Sequence, residues 1–152
     1  MENFELEKFV DEAIKEAEIA YENNEVPVGA VLVKDGKIAA KAHNFSKSSK
    51  NRLAHAEMIL IQDMIKQEGK ETLEDYSLVV TLEPCVMCFG ACNLARLKEV
   101  IFVLNDDKFG YSKTLQNLNI FSKSLRNLNI LKTTYREKDV KKLMQDFFKD
   151  KR

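Results

Sequence analysis

The chain has 152 residues, of which 45% are hydrophobic, and it contains only five glycines and two prolines. This composition predicts one compact domain over residues 1–152 with a hydrophobic core, and it excludes a disordered or low-complexity chain. No apolar run approaches the length of a membrane span, and the acidic start MENFELEKF is unlike a signal peptide. We therefore expect a cytoplasmic protein with no membrane partner.

The net charge is zero, but the charged residues are unevenly distributed. Residues 1–110 contain 13 basic and 20 acidic side chains, whereas residues 111–152 contain 11 basic and four acidic side chains. A second basic stretch, residues 41–52, contains no acidic residue. Such regions can bind the phosphates of a nucleic acid, but lysine-rich surface loops without a partner are common too. Charge alone leaves both interpretations open.

Apolar periodicity predicts the elements of the first half in chain order. A helical stripe covers residues 3–23, and residues 28–42 have the pattern of a β-hairpin with an Asp-Gly turn. A polar loop at 43–53 leads to a helix that begins near His55. A glycine at position 69 is expected to end that helix.

The second half alternates strands and helices. Residues 76–83 have the pattern of a buried strand, and Pro84 fits the first position of a helix that runs to about Leu97. The further expected elements are a strand at 99–104, a loop NDDKFGYSKT, an ambiguous stretch to about Asn127, a strand in NILKTT, and a helix at 137–150 with Val140, Leu143, Met144, Phe147 and Phe148 inward. The order αββαβαβ(β)α favours an α/β fold of three layers, with a mixed sheet of about five strands between helices.

The chemically distinctive residues lie at two predicted helix starts. His55 and Glu57 begin one helix, and Cys85 and Cys88 begin another directly after a buried strand. Free N–H groups and the positive end of the helix dipole stabilise thiolates at such a position. Both sulfurs of a Cys-x-x-Cys pair can reach one metal ion, and His55 would complete a three-ligand zinc site with an open position for water. Glu57 would then be the base.

Other interpretations of these residues stay open. A histidine near a helix start is often a hydrogen-bonded residue without a ligand role, and Cys-x-x-Cys can be redox-active or part of a four-ligand site with His43. Residues two apart on a regular helix point about 200° apart, so the site needs His55 in an irregular first turn or Glu57 reaching round. Cys92, a full turn beyond Cys88, is expected to be a small core residue.

The pattern His-x-Glu followed by Pro-Cys-x-x-Cys, here at 55–57 and 84–88, resembles the signature of the zinc nucleoside and nucleobase deaminases. The stretches EVPVGAVLV, AHAEM, TLEPCVMCFGA and DFF, with Asp106 and Lys108–Gly110, are similar to bacterial tRNA-specific adenosine deaminases. The resemblance extends over residues 8–150, nearly the whole chain.

This resemblance implies a cytidine deaminase-like fold and hydrolytic deamination of adenosine to inosine at the wobble position of a tRNA anticodon. It implies a homodimer that acts on the anticodon stem-loop, with no DNA partner, and one Zn²⁺ per subunit bound by His55, Cys85 and Cys88, with Glu57 as the catalytic proton shuttle. The implied substrate-binding residues are Asn44 at the target nucleoside, Asp106 and Lys108 in a loop at the anticodon, and Phe147 and Phe148, of which one ring would touch RNA and the other lie in the core.

The chain also departs from the family pattern, at 45–46, 51–53 and 111–113. A free nucleobase or nucleoside deaminase acting on guanine or cytosine would share the zinc site, but TLEPCVMC, the loop at 106–110 and the basic C-terminal third disfavour it. A non-catalytic zinc module that binds RNA or protein would leave Glu57 without a role and would require four protein ligands.

Overall fold

The computed structural model describes Met1, residues 3–118 and residues 128–151. Within these ranges, five strands form one sheet in the order β2-β1-β3-β4-β5. The strands are Gly29–Lys34 (β1), Lys37–His43 (β2), Ser77–Leu82 (β3), Glu99–Leu104 (β4) and Ile130–Lys132 (β5). Strand β1 pairs antiparallel with β2 and β3, whereas β3, β4 and β5 are parallel. The predicted mixed sheet of about five strands is confirmed.

Helices cover both faces of the sheet. Those described are Asn3–Glu22 (α1), Ser46–Ser49 (α2), Ala56–Glu68 (α3), Val86–Leu94 (α4), Tyr111–Leu118 (α5) and Glu137–Asp150 (α6). Side chains of α1 and α6 pack with Val31, Val79 and Ile101 on one face, and α3 and α4 pack with Leu32 and Val80 on the other. The three-layer α/β/α prediction is confirmed. None of the described helices is both long and apolar enough to cross a membrane.

Strand alternation explains the two cores. Neighbouring residues of β1 and β3 point to opposite faces, so Leu32 and Val80 belong to one apolar cluster and Val31 and Val79 to the other. Because all four of these residues are apolar, the central strands are buried on both faces, as the continuous apolar runs predict. Helices α3 and α4 are thereby held side by side on one face.

Helix α1 approaches β1 most closely at Gly29. A Cβ at this position would collide with the carbonyl oxygen of Ala13 and the amide nitrogen of Ala17. Both atoms belong to backbone, which cannot move aside as a flexible side chain can. Glycine is therefore the residue that permits this helix to lie against this strand.

Three predictions around α2 and α4 are wrong in detail. The expected polar loop at 43–53 contains the short helix α2, because the buried carboxylate of Glu25 accepts hydrogen bonds from its backbone amides. Pro84 precedes α4 instead of beginning it. Cys85 is the N-cap residue, with extended backbone at φ −71° and ψ 172°. Helix α4 also ends at Leu94, before the left-handed residue Arg96 at φ 56°.

Two later predictions also change. The loop NDDKFGYSKT is shorter than expected, because α5 begins at Tyr111. On α6, Val140 and Phe147 are buried as predicted, whereas Phe148 is 46% exposed and does not lie inward. The ambiguous stretch before Asn127 includes residues 119–127, which lie outside the described residues.

Candidate metal centre and active-site cavity

Three side chains predicted to bind zinc converge where α3 and α4 begin. Nδ1 of His55 lies 3.6 Å from Sγ of Cys85 and 3.5 Å from Sγ of Cys88. All three ligand atoms lie within 4.8 Å of one another. In a tetrahedral site, Zn–N bonds of about 2.0–2.1 Å and Zn–S bonds of about 2.3 Å place nitrogen and sulfur roughly 3.6 Å apart. The donor set and its spacing therefore fit one zinc ion.

The backbone at His55 removes the geometric conflict of the His-x-Glu pattern. His55 is the N-cap residue of α3, with extended backbone at φ −77° and ψ 150°. The direction of its side chain is therefore not set by the 100° rotation per residue of the helix that contains Glu57. Both side chains line the same cavity. The sequence required either His55 outside the regular helical turns or Glu57 reaching round the helix. The structure has the first arrangement.

The pKa values of the two cysteine thiols are shifted in opposite directions. A hydrogen bond from Cys88, helped by His55, lowers the pKa of the Cys85 thiol to about 4 despite partial burial. The same hydrogen bond, together with burial, raises the pKa of Cys88. Because the thiolate is the form that binds metal, a divalent cation held by both cysteines would displace any proton that they carry.

Neither Cys92 nor His43 belongs to this group of ligand atoms among the described residues. Cys92 is fully buried in the core on the α3 and α4 side, where burial raises its pKa, and its prediction as a core residue is confirmed. Nδ1 of His43 lies 3.0 Å from Oε1 of Glu16. Three protein ligands leave a fourth position on zinc, which is the pattern of catalytic sites.

Glu57 presents an unpartnered oxygen beside the metal ligands. The side chain is 3% exposed, and Oε1 has no hydrogen-bond partner among the described residues. Burial raises the pKa of Glu57 to about 7. An unpaired buried oxygen is costly unless another group binds it, so the position suits a carboxylate that exchanges protons with bound reactants.

Asn44 connects the end of β2 to the start of α3. Its Oδ1 accepts a hydrogen bond of 2.9 Å from the backbone amide of Ala56, which belongs to the first turn of α3. The amide N–H requires an oxygen acceptor, so the orientation of the Asn44 side chain is fixed. Its Nδ2 group therefore remains as a hydrogen-bond donor in the cavity that Asn44 lines.

Asn44, His55, Glu57 and Cys85 line one cavity of about 660 Å³. The volume lies within the range of small-molecule sites, roughly 300–1,000 Å³. The lining residues are Val26, Val28, Asn44, His55, Glu57, Leu82, Glu83, Cys85, Asp106, Lys108, Phe109, Met144 and Phe148. A cavity of this size, lined by apolar side chains and a few polar groups, can hold a flat heterocycle.

The predicted RNA-contact residues divide between the cavity and the core. Asp106 and Lys108 line the cavity, and Oδ1 of Asp106 accepts hydrogen bonds from the amides of Lys108 and Phe109. Phe148 also lines the cavity. Phe147 does not: its ring is buried, with its edge against Tyr21.

Two buried carboxylates next to the cavity were missed by the sequence analysis. Glu25 and Glu83 are 1% and 3% exposed, and both accept hydrogen bonds from loops that border the cavity. The available signal was an acidic residue within an apolar run, before VPVGAV and within VVTLEPC. Such an acid is either exposed or bound by several donors, and the pattern does not say which.

Comparison with known proteins defines the class of protein. The profile of the family described as the cytidine and deoxycytidylate deaminase zinc-binding region matches residues 4–104. That range contains every residue of the proposed metal centre. The chain therefore belongs to the zinc-binding cytidine and deoxycytidylate deaminase family. Its zinc cofactor, predicted from the ligand spacing, is confirmed by the family and the His-Cys-Cys group.

Individual relatives narrow this class. The tRNA-specific adenosine deaminase of Bacillus subtilis (strain 168) is 50% identical over 112 residues, 74% of this chain and 70% of that protein. The tRNA-specific adenosine deaminase of Aquifex aeolicus (strain VF5) is 39% identical over 143 residues, 94% and 93% of the two chains. A solved structure from a study of A-to-I editing by tRNA:A34 deaminases has a TM-score of 0.81 at 30% identity, covering 90% of this chain and 98% of that one. The predicted resemblance to tRNA-specific adenosine deaminases is confirmed.

Proposed function

We propose that this protein deaminates adenosine to inosine by hydrolysis at the wobble position of a tRNA anticodon. The observation that carries the proposal is the unpartnered Oε1 of Glu57 next to a three-ligand metal centre, within a cavity large enough for a nucleoside. Relatives named for this activity supply the substrate.

The ligand set assigns a role to each residue of the centre. His55, Cys85 and Cys88 would hold a zinc ion, which when bound supplies Lewis-acid activation of water. Glu57 accepts the proton of the water molecule at Oε1. As the water oxygen bonds to C6 of adenine, Glu57 passes this proton to N1. It then takes the second proton from that oxygen and gives it to the amine as the C6–N bond breaks, so that water and adenosine give inosine and ammonia. Glu57 is therefore the proposed catalytic residue.

Residues around the cavity hold the base. A base stacked in an anticodon loop cannot reach Glu57, so the target adenosine must turn out into the cavity. The Nδ2 group of Asn44 donates a hydrogen bond to the nucleoside, and the exposed ring of Phe148 offers a stacking surface at the cavity mouth. The loop of Asp106 and Lys108 contacts neighbouring nucleotides. Phe147 supports the ring of Phe148 from the core at a centroid distance of 5.2 Å.

The protein is further proposed to act as a homodimer, through α4. This helix contains no charged residue, and it exposes 80% of Leu94 and 38% of Val86. Such an apolar surface favours burial against a second copy of the same helix face. Leu94→Asp should convert a dimer to a monomer in light scattering after size-exclusion chromatography. Ile19→Asp, which alters an exposed apolar residue of α1, should not. A monomeric wild-type protein would overturn this assignment.

The remaining proposals concern extent and location. Residues 1–152 are proposed to act as a single deaminase domain, because His55, Glu57, Cys85 and the ring of Phe148 line one cavity. A cytoplasmic location follows from a tRNA substrate. Fractionation of cells that produce the protein would test it.

The experiment that tests the activity compares anticodon stem-loop RNAs that differ only in the wobble base. Purified zinc-loaded protein is incubated with each hairpin, and with free adenosine, cytosine and guanine, and inosine, uracil and xanthine products are quantified. Inosine from the adenosine hairpin alone is the expected result. Product from a free base, with no inosine in the hairpin, would retain the chemistry and reject the RNA substrate.

A further inference from the structure

We propose that Glu25 and Glu83 are positioning residues that hold the two loops bordering the cavity in their RNA-binding form before RNA arrives. This inference rests on the proposed function, because it concerns the substrate of the same site. The two loops are the Glu25 loop, residues 44–55, and the Glu83 loop, residues 105–112. Each loop contains residues that line the cavity, Asn44 and His55 in the first and Asp106, Lys108 and Phe109 in the second.

Glu25 binds the first turn of α2. Its Oε1 accepts a hydrogen bond of 2.9 Å from the amide of Lys47, and its Oε2 accepts bonds of 2.7 Å from the amide and 2.8 Å from the hydroxyl of Ser48. The four-residue helix α2 could not hold its own conformation, because a single helical turn is unstable in isolation. The carboxylate thus supplies the stabilisation that this segment lacks. The Glu25 loop begins at Asn44 and ends at His55, so its shape sets the spacing of two cavity residues.

Glu83 binds both ends of the second loop. Its Oε1 accepts hydrogen bonds of 3.1 Å from Nδ2 of Asn105 and 3.2 Å from the amide of Asp106. Its Oε2 accepts bonds of 3.0 Å from the amide and 2.7 Å from the hydroxyl of Ser112. Lys108 and Phe109 lie between these ends and, like Asp106, line the cavity. A Cβ on Gly110 would collide with the Glu83 carboxylate, so the loop backbone lies directly against it.

The number of donors separates these carboxylates from the catalytic one. Each oxygen of Glu83 accepts two hydrogen bonds, and Glu25 accepts three in all, whereas Oε1 of Glu57 accepts none among the described residues. A carboxylate has about four lone-pair positions, and hydrogen bonds within the protein occupy four on Glu83 and three on Glu25, which disfavours proton exchange with a substrate. Neither Glu25 nor Glu83 forms an ion pair with a described lysine or arginine. Their function is therefore to fix backbone.

Loops fixed in advance increase affinity, because less conformational entropy is lost when RNA binds. The departures from the family pattern at 45–46, 51–53 and 111–113 fall in or beside these loops, and Ser112 is one of the departing residues. The hydrogen bonds to Glu25 and Glu83 are nevertheless formed in this chain. The altered loops therefore retain anchored backbones at the site where RNA is proposed to bind.

Hydrogen exchange tests the positioning role without any activity measurement. In the zinc-loaded protein, Glu25→Gln should accelerate amide exchange at residues 46–51 by about tenfold or more and leave residues 105–112 unchanged. Glu83→Gln should do the reverse. The factor follows from the strength of hydrogen bonds to charged acceptors. Unchanged exchange in both segments, or acceleration spread evenly over the protein, would overturn the proposal.

Kinetics provide the second test, with serine variants as matched controls. Ser48→Ala removes a hydroxyl that binds Glu25, whereas Ser49→Ala removes a neighbouring hydroxyl that binds the carbonyl of Phe45. Ser112→Ala and Thr114→Val form the equivalent pair, since Thr114 binds the carbonyl of Gly110. If a glutamate variant fails to fold, these milder serine variants still test whether Glu25 and Glu83 position the loops.

Ser48→Ala and Ser112→Ala should raise KM for the anticodon hairpin severalfold, with kcat and zinc content retained, and the two controls should leave KM unchanged. Equal effects of the variants and their controls would contradict the proposal. Loss of kcat at unchanged KM would contradict it too. If wild-type protein forms no inosine, the proposed function fails, whereas the exchange experiment still decides the role of the two carboxylates.

Discussion

Glu25, Glu57 and Glu83 are buried to nearly the same extent, but the surroundings of their oxygen atoms differ. The first and third accept hydrogen bonds from backbone amides, and the second has an oxygen without a partner among the described residues. Burial alone does not distinguish a catalytic acid from a structural one. The number of hydrogen bonds that each carboxylate oxygen accepts distinguishes the two roles. Each role can be tested by its own substitution.

Glu57→Gln should retain zinc and lose turnover. The amide is nearly isosteric with the carboxylate and leaves the three ligands in place, but it cannot accept the proton of water. General acid–base catalysis typically contributes about 10²–10⁴-fold, so inosine formation should fall by at least that factor. Inosine release and zinc per chain are measured together. An active variant with a full complement of zinc would remove Glu57 from the mechanism.

Substitutions of Asn44 can separate the role of its Oδ1 acceptor from that of its Nδ2 donor. Asn44→Asp keeps an acceptor for the amide of Ala56 but lacks the Nδ2 donor, so thermal stability should be retained while KM for the hairpin rises about tenfold. Asn44→Ala loses both groups, and its stability should fall by about 0.5–2 kcal/mol as for loss of a helix cap. Equal KM values for Asn44→Asp and wild type would show that the donor has no role in binding.

At the scale of elements, Glu25 anchors α2 through hydrogen bonds to a charged carboxylate. Burial raises the pKa of Glu25, but the bonds from Lys47 and Ser48 outweigh this effect and lower it overall. A group with a lowered folded-state pKa contributes stability above its unfolded pKa, about 4.3, and loses it as pH falls through the folded value.

The stability of Glu25→Gln should therefore depend on pH less than that of wild type. At pH 7 the variant should be less stable by about 1–3 kcal/mol, because the side-chain NH₂ group of glutamine would face the N–H groups of Lys47 and Ser48 and could not accept their hydrogen bonds. The difference should narrow as the pH falls below about 4.3. Chemical unfolding of both proteins at several pH values measures it, and a difference that widens toward low pH would show that the carboxylate is not charged in the folded state.

The contact between α1 and β1 depends on a missing side chain. Gly29→Ala places a methyl group against the backbone of Ala13 and Ala17, and should lower stability by about 1–3 kcal/mol, as overpacking does. Glu18→Ala is the control, because it places the same methyl group at an exposed position of α1, where alanine favours the helical conformation. Denaturant unfolding of both variants measures the difference. A Gly29→Ala protein as stable as the control would contradict the close approach.

At the scale of the whole molecule, the metal centre joins two helices that are 30 residues apart in the chain. His55 precedes α3 and Cys85 precedes α4, so zinc would bind only when the sheet has brought both helices together. A ligand that binds the folded state alone stabilises it, by about 4 kcal/mol at a concentration 1,000 times Kd.

Removal of zinc with a chelator should therefore lower Tm and abolish inosine formation, and added zinc should restore both. Cys88→Ala should bind less than one zinc ion per chain, whereas Cys92→Ala should retain full zinc at a modest cost in stability, because it loses one buried sulfur from the core. Zinc content and Tm are measured for both. Zinc loss in Cys92→Ala would mean that the ligand set is incomplete.

Much of this fold and the metal centre could be predicted from local sequence patterns. Apolar runs predicted β3 and β4, and the spacing of Cys85 and Cys88 predicted a metal pair, because both signals depend on neighbours in the chain. The helix α2 could not be predicted, since its amides bind Glu25, more than 20 residues earlier. The amphipathic pattern of α6 did not show that Phe148 faces a cavity instead of the core.

Anchoring by backbone amides leaves some side chains of both loops free to change over evolutionary time, namely those that neither bind Glu25 or Glu83 nor line the cavity. At 47 and 106 the anchor needs only a peptide N–H, which every residue except proline supplies, and at 48 and 112 a hydroxyl adds to it. Substitutions in the loops can thus change which nucleotides they contact while the hydrogen bonds from the loop backbones to Glu25 and Glu83 are kept. The same property makes the loop positions other than Asn44, His55, Asn105 and Gly110 suitable for libraries in directed evolution, with proline omitted at 47, 48, 106 and 112.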